Sequence, residues 1–450
     1  MNKKELSLYG EHVETMRSRY DKIMDEFGIS EIVIASGVID YYFADDRPVV
    51  FKSTPHFAHW CPLEGPGHLL QVCKNKKPKL IFFSPNDYWD LAPTADGKPW
   101  LKNFDVQLET ELANRFNHFI ESSSTPGFIG SDSQIPTNYS VNDEKLTKAL
   151  DWNRSFKTPW EVHCIRTANK IAAAGHLRSK ELFVESQSSE FDILMEFCVA
   201  TGYASHELPY NPIIAFDEHA ATLHYEQKLK IKKATTLLID AGVNYYGYAS
   251  DITRTHLTTN KRESIQRRVI SEKAHQVFSN LLTKLNQFQI KFISEIGPGD
   301  SYVDLHKETC LAIYEILSQE KIILSCPEEE AWKYAAVRPF FPHGLGHMLG
   351  IQVHDVSGKQ QNMNGAMFNP NESFPTLRNY RTVEVGNVFT IEPGIYFIEN
   401  LLEELKSKHE EIKIDWELVA ELIPLGGIRI EDNVYVGESG TENLTRSFLP

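Results

Sequence analysis

The stretch TTLLIDAGVNYYGYASDITRT places two aspartates, Asp240 and Asp251, eleven positions apart on either side of a turn-forming segment. Leu237–Ile239 reads as a buried strand, and Asn244 to Gly247 supply turn chemistry. A hairpin centred between Tyr245 and Tyr246 sets Asp240 directly opposite Asp251, with Cβ atoms about 4.5–5.5 Å apart. Two carboxylates that close, flanked by apolar residues, repel unless protons or cations lie between them. Thr253 falls on the same side as Asp251. A solvated hairpin face with two unrelated acids would show the same spacing, and only the apolar flanks argue against it.

Three further stretches carry reactive side chains. In FFPHGLGHMLGIQVHD, His343 and His347 stand four apart and share a face if the backbone is helical, with His354 seven positions on. Gly344 follows the first histidine, so the general-base glutamate of the HExxH zinc-protease motif is missing. Gly344 and Gly346 suggest instead a close approach of backbone to something else. In NVFTIEPGIYF, Glu392 interrupts an apolar strand just before a Pro-Gly turn. In GGIRIEDNVYV, Arg429 and Glu431 share one strand face while Ile428 and Ile430 take the other. Singly, these read as core histidines, a strand end and a surface ion pair. Together they gather four carboxylates and one imidazole: Asp240, Asp251, His347, Glu392 and Glu431. That donor set suits Mn²⁺, Co²⁺, Zn²⁺ or Fe²⁺ rather than a thiolate-seeking ion. Four carboxylates are too many for one catalytic zinc and fit two divalent ions about 3.5–4 Å apart, bridged by carboxylates and a hydroxide.

Those residues must be held by a sizeable scaffold. At 450 residues the chain is too long for one ordinary core, which points to two domains. Hydrophobic content of 42% and charged content of 24% are those of a folded globular chain. The net charge of −15 argues against nucleic acid as a partner. No stretch of about 18 apolar residues suggests a membrane span, the N-terminus does not read as a secretory signal, and the six cysteines are scattered without a CxxC pair. A cytoplasmic protein with free thiols is expected. Residues 4–27 have helical spacing of Leu6, Tyr9, Val13, Met16, Ile23 and Met24, and EIVIASG and PKLIFFSP read as strands. Residues 45–68, with four prolines, read as a long ordered loop. Thr158-Pro159 can cap and start a helix, so a first α/β domain over 1–157 and a second over 158–450 are expected. The second begins with two helices, then shows a strand, a hairpin, helices near 263–288 and 302–319, and more strands. This is an α+β pattern built on antiparallel hairpins.

Asp240, Asp251, HGLGH at 343–347, TIEPG at 390–394 and RIED at 429–432 together resemble the metal cage of the pita-bread metallopeptidases, in order and in the Asp–Asp gap. The resemblance spans essentially the whole chain, because a first domain of this size occurs in the prolidase and aminopeptidase P branch. LHYE at 223–226, FPHGLGH and TLRNYR at 376–381 are similar to the bacterial Xaa-Pro dipeptidases, a type that includes the organophosphorus acid anhydrolases. Methionine aminopeptidases share the cage but generally lack the first domain, and creatinases lack the ligands.

The resemblance implies an α+β protein: a mixed α/β first domain followed by a pita-bread catalytic domain with two divalent ions per subunit, Mn²⁺ foremost. Asp240 would chelate one ion and His347 and Glu392 the other, with Asp251 and Glu431 bridging. The expected reaction is attack of a metal-bridging hydroxide on an Xaa-Pro dipeptide, Glu392 relaying a proton to the departing proline nitrogen. His343, His354 and His224 match histidines that contact substrate or support the ligands, and His354 or His224 could donate to the developing oxyanion. Arg378, rather than Arg381, is expected to bind the free carboxylate, and Arg429 to brace Glu431. Asp46 and Trp60 lie in a loop that in the resembling enzymes reaches a neighbouring subunit's active site, which implies a homodimer and makes Asp46 a candidate substrate contact. Organophosphorus triesters are a further expected substrate, with Tyr210, Leu223 and His224 as pocket walls. Two other readings remain: an aminopeptidase P with an open end for longer peptides, and a binding module that has lost its ligands.

Overall fold

The computed structural model describes residues 1–119, 126–185, 188–258 and 264–450, which form two compact units: Met1–His163 with Gln360–Met367, and Cys164–Lys359 with Phe368–Pro450.

In the first unit α1 (Lys3–Phe27) starts with a capping box between Asn2 and Glu5 and ends at Gly28, whose φ of 66° is left-handed. Its buried stripe of Tyr9, Val13, Met16, Tyr20, Ile23 and Met24 repeats at helical spacing. A six-stranded mixed sheet follows: β1 (Glu31–Ala35), β2 (Leu69–Cys73), β3 (Lys79–Phe83), β4 (Asp105–Glu109), β5 (Gly127–Ile129) and β6 (Ser140–Val141), in spatial order β4-β3-β2-β1-β5-β6. The β1–β2 and β2–β3 pairs are antiparallel, and β3–β4, β1–β5 and β5–β6 are parallel. The proline-rich stretch is not loop throughout: Pro55–Trp60 forms a short helix, α2, with proline in its first turn, where the missing N–H is no loss. Helix α3 (Glu144–Arg154) is capped by the Asp143 side chain and receives the returning segment 360–367, where Gln360 Nε2 donates to the Lys148 carbonyl at 3.1 Å.

Helix α4 (Pro159–Val184) begins at the expected capping site: Thr158 N–H donates to Glu161 Oε2 at 2.8 Å, and Glu161 N–H to Thr158 Oγ1 at 3.4 Å. After α5 (Glu190–Thr201), β7 (Ile213–Phe216), β8 (Thr236–Asp240) and β11 (Thr253–Leu257) form an antiparallel sheet in the order β11-β8-β7, with a small hairpin of β9 (Asn244–Tyr245) and β10 (Tyr248–Ala249) between β8 and β11. The helix expected near 263–288 starts later and ends later: residues 264–271 are not helical, and α6 runs over Glu272–Glu295 behind the N-cap Ser271, whose side chain accepts from Ala274 N–H. Then come α7 (Tyr302–Gln319), β12 (Ile323–Ser325), α8 (Glu330–Val337), β13 (Val388–Ile391), β14 (Gly394–Tyr396), α9 (Glu399–Lys408), β15 (Lys413–Ile414), α10 (Trp416–Leu422), β16 (Gly427–Arg429), β17 (Asp432–Gly437) and β18 (Gly440–Asn443). Strands β13-β17-β18 and β14-β16 form two further antiparallel sheets. Phe278, Leu281 and Leu285 of α6 and Ile313 and Leu317 of α7 are buried in one core with Leu418, Leu422, Val434 and Val436. Each such side chain contributes about 1.5–3 kcal/mol of burial. This core backs β13 and β16, which lead into Glu392 and Glu431, while Leu237 and Ile239 of β8 pack in a separate cluster with Ile193 and Phe197 of α5. Among the described residues no helix is long and apolar enough to cross a membrane.

Candidate metal centre

The hairpin register differs from the sequence expectation by two positions. Tyr245 pairs with Tyr248 and Asn244 with Ala249, so the turn residues are Tyr246 and Gly247, both with positive φ (48° and 85°), as a type I′ turn requires. Asp240 therefore faces Thr253, not Asp251. The two aspartates still meet, because the register continues unbroken between them (Ala241 N–H donates to the Ile252 carbonyl and Ser250 N–H to that of Val243, both at 3.0 Å), which puts Asp251 opposite Gly242 and diagonally across from Asp240 on the same face. Gly242 permits this: a Cβ there would sit 1.9 Å from the Ser250 carbonyl oxygen. The Tyr210 hydroxyl lies 2.8 Å from Asp240 Oδ1 and 2.6 Å from Asp251 Oδ1, inserted between the carboxylates.

His347 does not reach the site from a helix, contrary to the spacing argument. Residues 345–348 run alongside β13, with Thr390 N–H donating to the His347 carbonyl (2.9 Å) and Glu392 N–H to that of Leu345 (2.8 Å). Gly346 explains the HGLGH spelling, since a Cβ there would lie 2.2 Å from the Thr390 carbonyl oxygen. The His347 ring places Nδ1 3.0 Å from the Met348 carbonyl, to which it donates, and so turns Nε2 toward the carboxylates. Nε2 lies 3.3 Å from Asp251 Oδ2 and 3.7 Å from Glu392 Oε1. On the far side of Glu392, Oε2 is 3.7 Å from His343 Nδ1.

Glu431 follows β16 and bridges in backbone register to Thr253, whose hydroxyl donates to Glu431 Oε2 at 2.7 Å. Its other oxygen, Oε1, is buried without a hydrogen-bond partner. Ligand atoms of Asp251, His347 and Glu431 all lie within 4.8 Å of one another. A deeply buried, orphaned carboxylate oxygen near an imidazole nitrogen and further carboxylates is the environment a divalent cation completes. The residues present therefore fit a metal centre.

The electrostatics agree. Burial, reinforced by Asp251, Glu392 and Asp240, pushes the Glu431 carboxyl well above its ordinary range. Burial likewise lifts Glu392 to about 7 and raises Asp240 despite the opposing Arg429 charge. At Asp251 burial works upward but the bonds from His347 and Tyr210 outweigh it, and its pKa falls. Too much negative charge is gathered for the cations at hand, as in sites built around metal ions.

Arg429 is 5% exposed and bonds through each of its nitrogens: Nη2 donates to Asp240 Oδ2 (2.6 Å), Nη1 to the Tyr396 hydroxyl (2.9 Å) and Nε to Thr253 Oγ1 (3.2 Å). The brace expected on Glu431 thus goes directly to Asp240 and reaches Glu431 only through Thr253, because Asp240 lies across the strands from it. Buried and with each of its three nitrogens already bonded, Arg429 is not open to a substrate. Tyr396 passes the contact on to His343 Nε2 at 2.9 Å, and burial holds His343 neutral, near 3.

His354 stacks edge-on against His347, ring centres 4.4 Å apart. Burial first, then the charges of His347, Arg378 and His224, lowers its pKa to about 4, which places Arg378 and His224 in its neighbourhood. Arg378 and His224 are exposed, and Leu223 is half-buried. Arg381 is buried and held by Ser357 and Glu384. Asp46 is exposed and belongs to the first unit. Three supporting residues escaped the sequence reading. Asn433 accepts from Asp251 N–H (3.0 Å) and donates to its carbonyl, Thr390 Oγ1 accepts from His347 N–H (3.1 Å), and Tyr396 links Arg429 to His343. Asn433 could have been found as the next residue on the Glu431 strand face.

Comparison with known proteins agrees with this architecture. Residues 163–438 match metallopeptidase family M24, and residues 7–152 match the Xaa-Pro dipeptidase N-terminal domain. The chain belongs to metallopeptidase family M24. It is 38% identical over 451 residues to the Xaa-Pro dipeptidase of Marinobacter nauticus and 35% identical over 445 residues to that of Pseudoalteromonas atlantica, covering 98% of each chain in both cases. In fold it is similar to an Escherichia coli aminopeptidase P variant in complex with substrate (TM-score 0.70, 20% identity, 98% of this chain and 95% of that one). It is also similar to Yersinia pestis proline aminopeptidase P II (TM-score 0.69, 20% identity, 100% and 97%).

Proposed function

We propose that the protein is an Xaa-Pro dipeptidase whose two divalent ions, Mn²⁺ foremost, are held by Asp240, Asp251, His347, Glu392 and Glu431. The observation that carries this is the convergence of buried Asp251, His347 and Glu431 around the unpartnered Glu431 Oε1. Full-length similarity to proteins named Xaa-Pro dipeptidase supports the substrate class. Cations bound there supply Lewis acidity and water that ionises near neutral pH. Glu392, between His343 and His347, is placed to hold a proton and pass it to the departing proline nitrogen. His354 stabilises the carbonyl oxygen as it gains charge. Exposed Arg378, beside His354, binds the free carboxylate, a role that buried and engaged Arg381 and Arg429 cannot take. Leu223 and His224 wall the pocket, which also admits neutral organophosphorus triesters.

Assembly is a homodimer in this reading. Its support is the exposed apolar stretch of the first unit that includes Tyr41, Tyr42 and Phe43, close in sequence to Asp46. A monomeric species with full activity in light scattering contradicts it. Rates on Xaa-Pro, Xaa-Pro-Yaa and Xaa-Ala with added Mn²⁺ test the substrate class. Strong preference for the first supports the dipeptidase reading, and faster cleavage of the tripeptide makes the protein an aminopeptidase P.

A further inference from the structure

Glu190, the first residue of α5, is wholly buried. Its Oε1 accepts from Phe216 N–H (2.9 Å) and His219 Nδ1 (2.7 Å), and its Oε2 from the Tyr225 hydroxyl and Leu229 N–H (both 2.8 Å). All four donors come from residues 216–229. Among the described residues no lysine or arginine forms an ion pair with Glu190, so its charge is met by this one stretch. The near end of the stretch is tied independently: Asp217 accepts from Thr235, Thr236 and Ile265 N–H at 2.8, 2.7 and 2.9 Å. Between the anchors, Thr222 and His224 are exposed. Tyr225 and Leu223 pack in one apolar cluster with Tyr396, whose hydroxyl bonds His343 and Arg429 at the metal centre. His219 stacks on Tyr225 at 4.4 Å, tightening the same clamp.

We propose that Glu190 is a positioning residue for substrate binding: its carboxylate clamps the 216–229 strap and so fixes Leu223 and His224 beside the metal centre. The proposal rests on the reading that these two residues touch the substrate. Burying a carboxylate is costly. Here its product is geometric, because one rigid acceptor with two oxygens holds the strap at both ends of its exposed tip. An amide cannot replace it. Whichever way the side chain of a Glu190→Gln variant turned, its NH₂ group would meet a backbone N–H, of Phe216 or of Leu229, and neither can accept.

The test is steady-state kinetics on Ala-Pro with the Mn²⁺-loaded full chain. In Glu190→Gln, KM should rise about tenfold while kcat stays within about twofold and bound metal is unchanged. Tyr225→Phe, which removes a single donor and keeps the ring packing, should raise KM roughly two- to threefold and covers the case in which Glu190→Gln fails to fold. Added to Leu223→Ala/His224→Ala, Glu190→Gln should change KM little further. An undiminished tenfold effect in that background, or equal loss in kcat with loss of metal, overturns the proposal. If Leu223→Ala/His224→Ala alone leaves KM unchanged, the underlying substrate contact is wrong. If that variant is impaired but both clamp variants bind normally, only the clamp is wrong.

Discussion

Two arginines near the cage face opposite tasks, and exposure separates them. Arg429 is buried, with its three donor nitrogens on Asp240, Tyr396 and Thr253, so it organises the acidic residues. Arg378 is exposed near His354, and the proposed function gives it the substrate's free carboxylate. On Xaa-Pro, Arg378→Ala should lower kcat/KM by roughly ten- to a hundredfold, the loss of a charge-assisted contact. A neutral nitrophenyl triester has no carboxylate, so hydrolysis of it should be largely retained on the same batch. Equal losses on both substrates at equal metal content would mean that Arg378 supports the site instead. The candidate ligands could be picked out in the sequence because hard carboxylates interrupting apolar strands are unusual. The direction of Arg429 was not, since it depends on Asp240 lying across the strands, 189 residues away in the chain.

Among the elements, the hairpin shows where local reading stops. Tyr246 in a left-handed conformation is uncommon for an aromatic residue, and placing the turn one residue early shifted the pairing by two. The HGLGH segment carries a similar lesson: the two glycines correctly signalled close approach, of Gly344 to Leu377 and of Gly346 to strand β13, but the segment is not helical. Gly346→Ala should push residues 345–348 off β13, lowering Tm by several degrees and weakening Mn²⁺ binding about tenfold. Isothermal titration of the variant checks this, and unchanged affinity would contradict it. In the first unit, His68 next to β2 accepts from Phe83 N–H through Nδ1 at 3.0 Å, so its protonation would set two hydrogens face to face. Burial lowers its pKa to about 4. Because the unfolded chain takes up the proton first, near pH 6.5, this histidine removes stability as pH falls from about 6.5 to 4, roughly 3 kcal/mol in all, and nothing above that window. His68→Asn keeps an acceptor in place without the proton site and should flatten the dependence of Tm on pH there; an unchanged slope would exclude His68 as a source.

For the whole molecule, fold class and family were readable because the cage motifs occur in a fixed order over the full length, whereas long-range closure was not. Thr253 pairs with Glu431 across 178 positions, and Glu190 meets its strap through burial that SSEFD, which reads as an ordinary helix cap, does not announce. The central claim is that Asp240, Asp251, His347, Glu392 and Glu431 act as one metal-dependent centre for Xaa-Pro hydrolysis. Stripping the protein exhaustively and then titrating Mn²⁺ while following Ala-Pro cleavage and bound metal together tests it most directly. The account predicts background activity in the stripped chain, recovery as about two equivalents bind, and background throughout for Asp251→Asn and Glu431→Gln with native circular dichroism. Full hydrolysis by a sample shown by elemental analysis to hold no metal would contradict it.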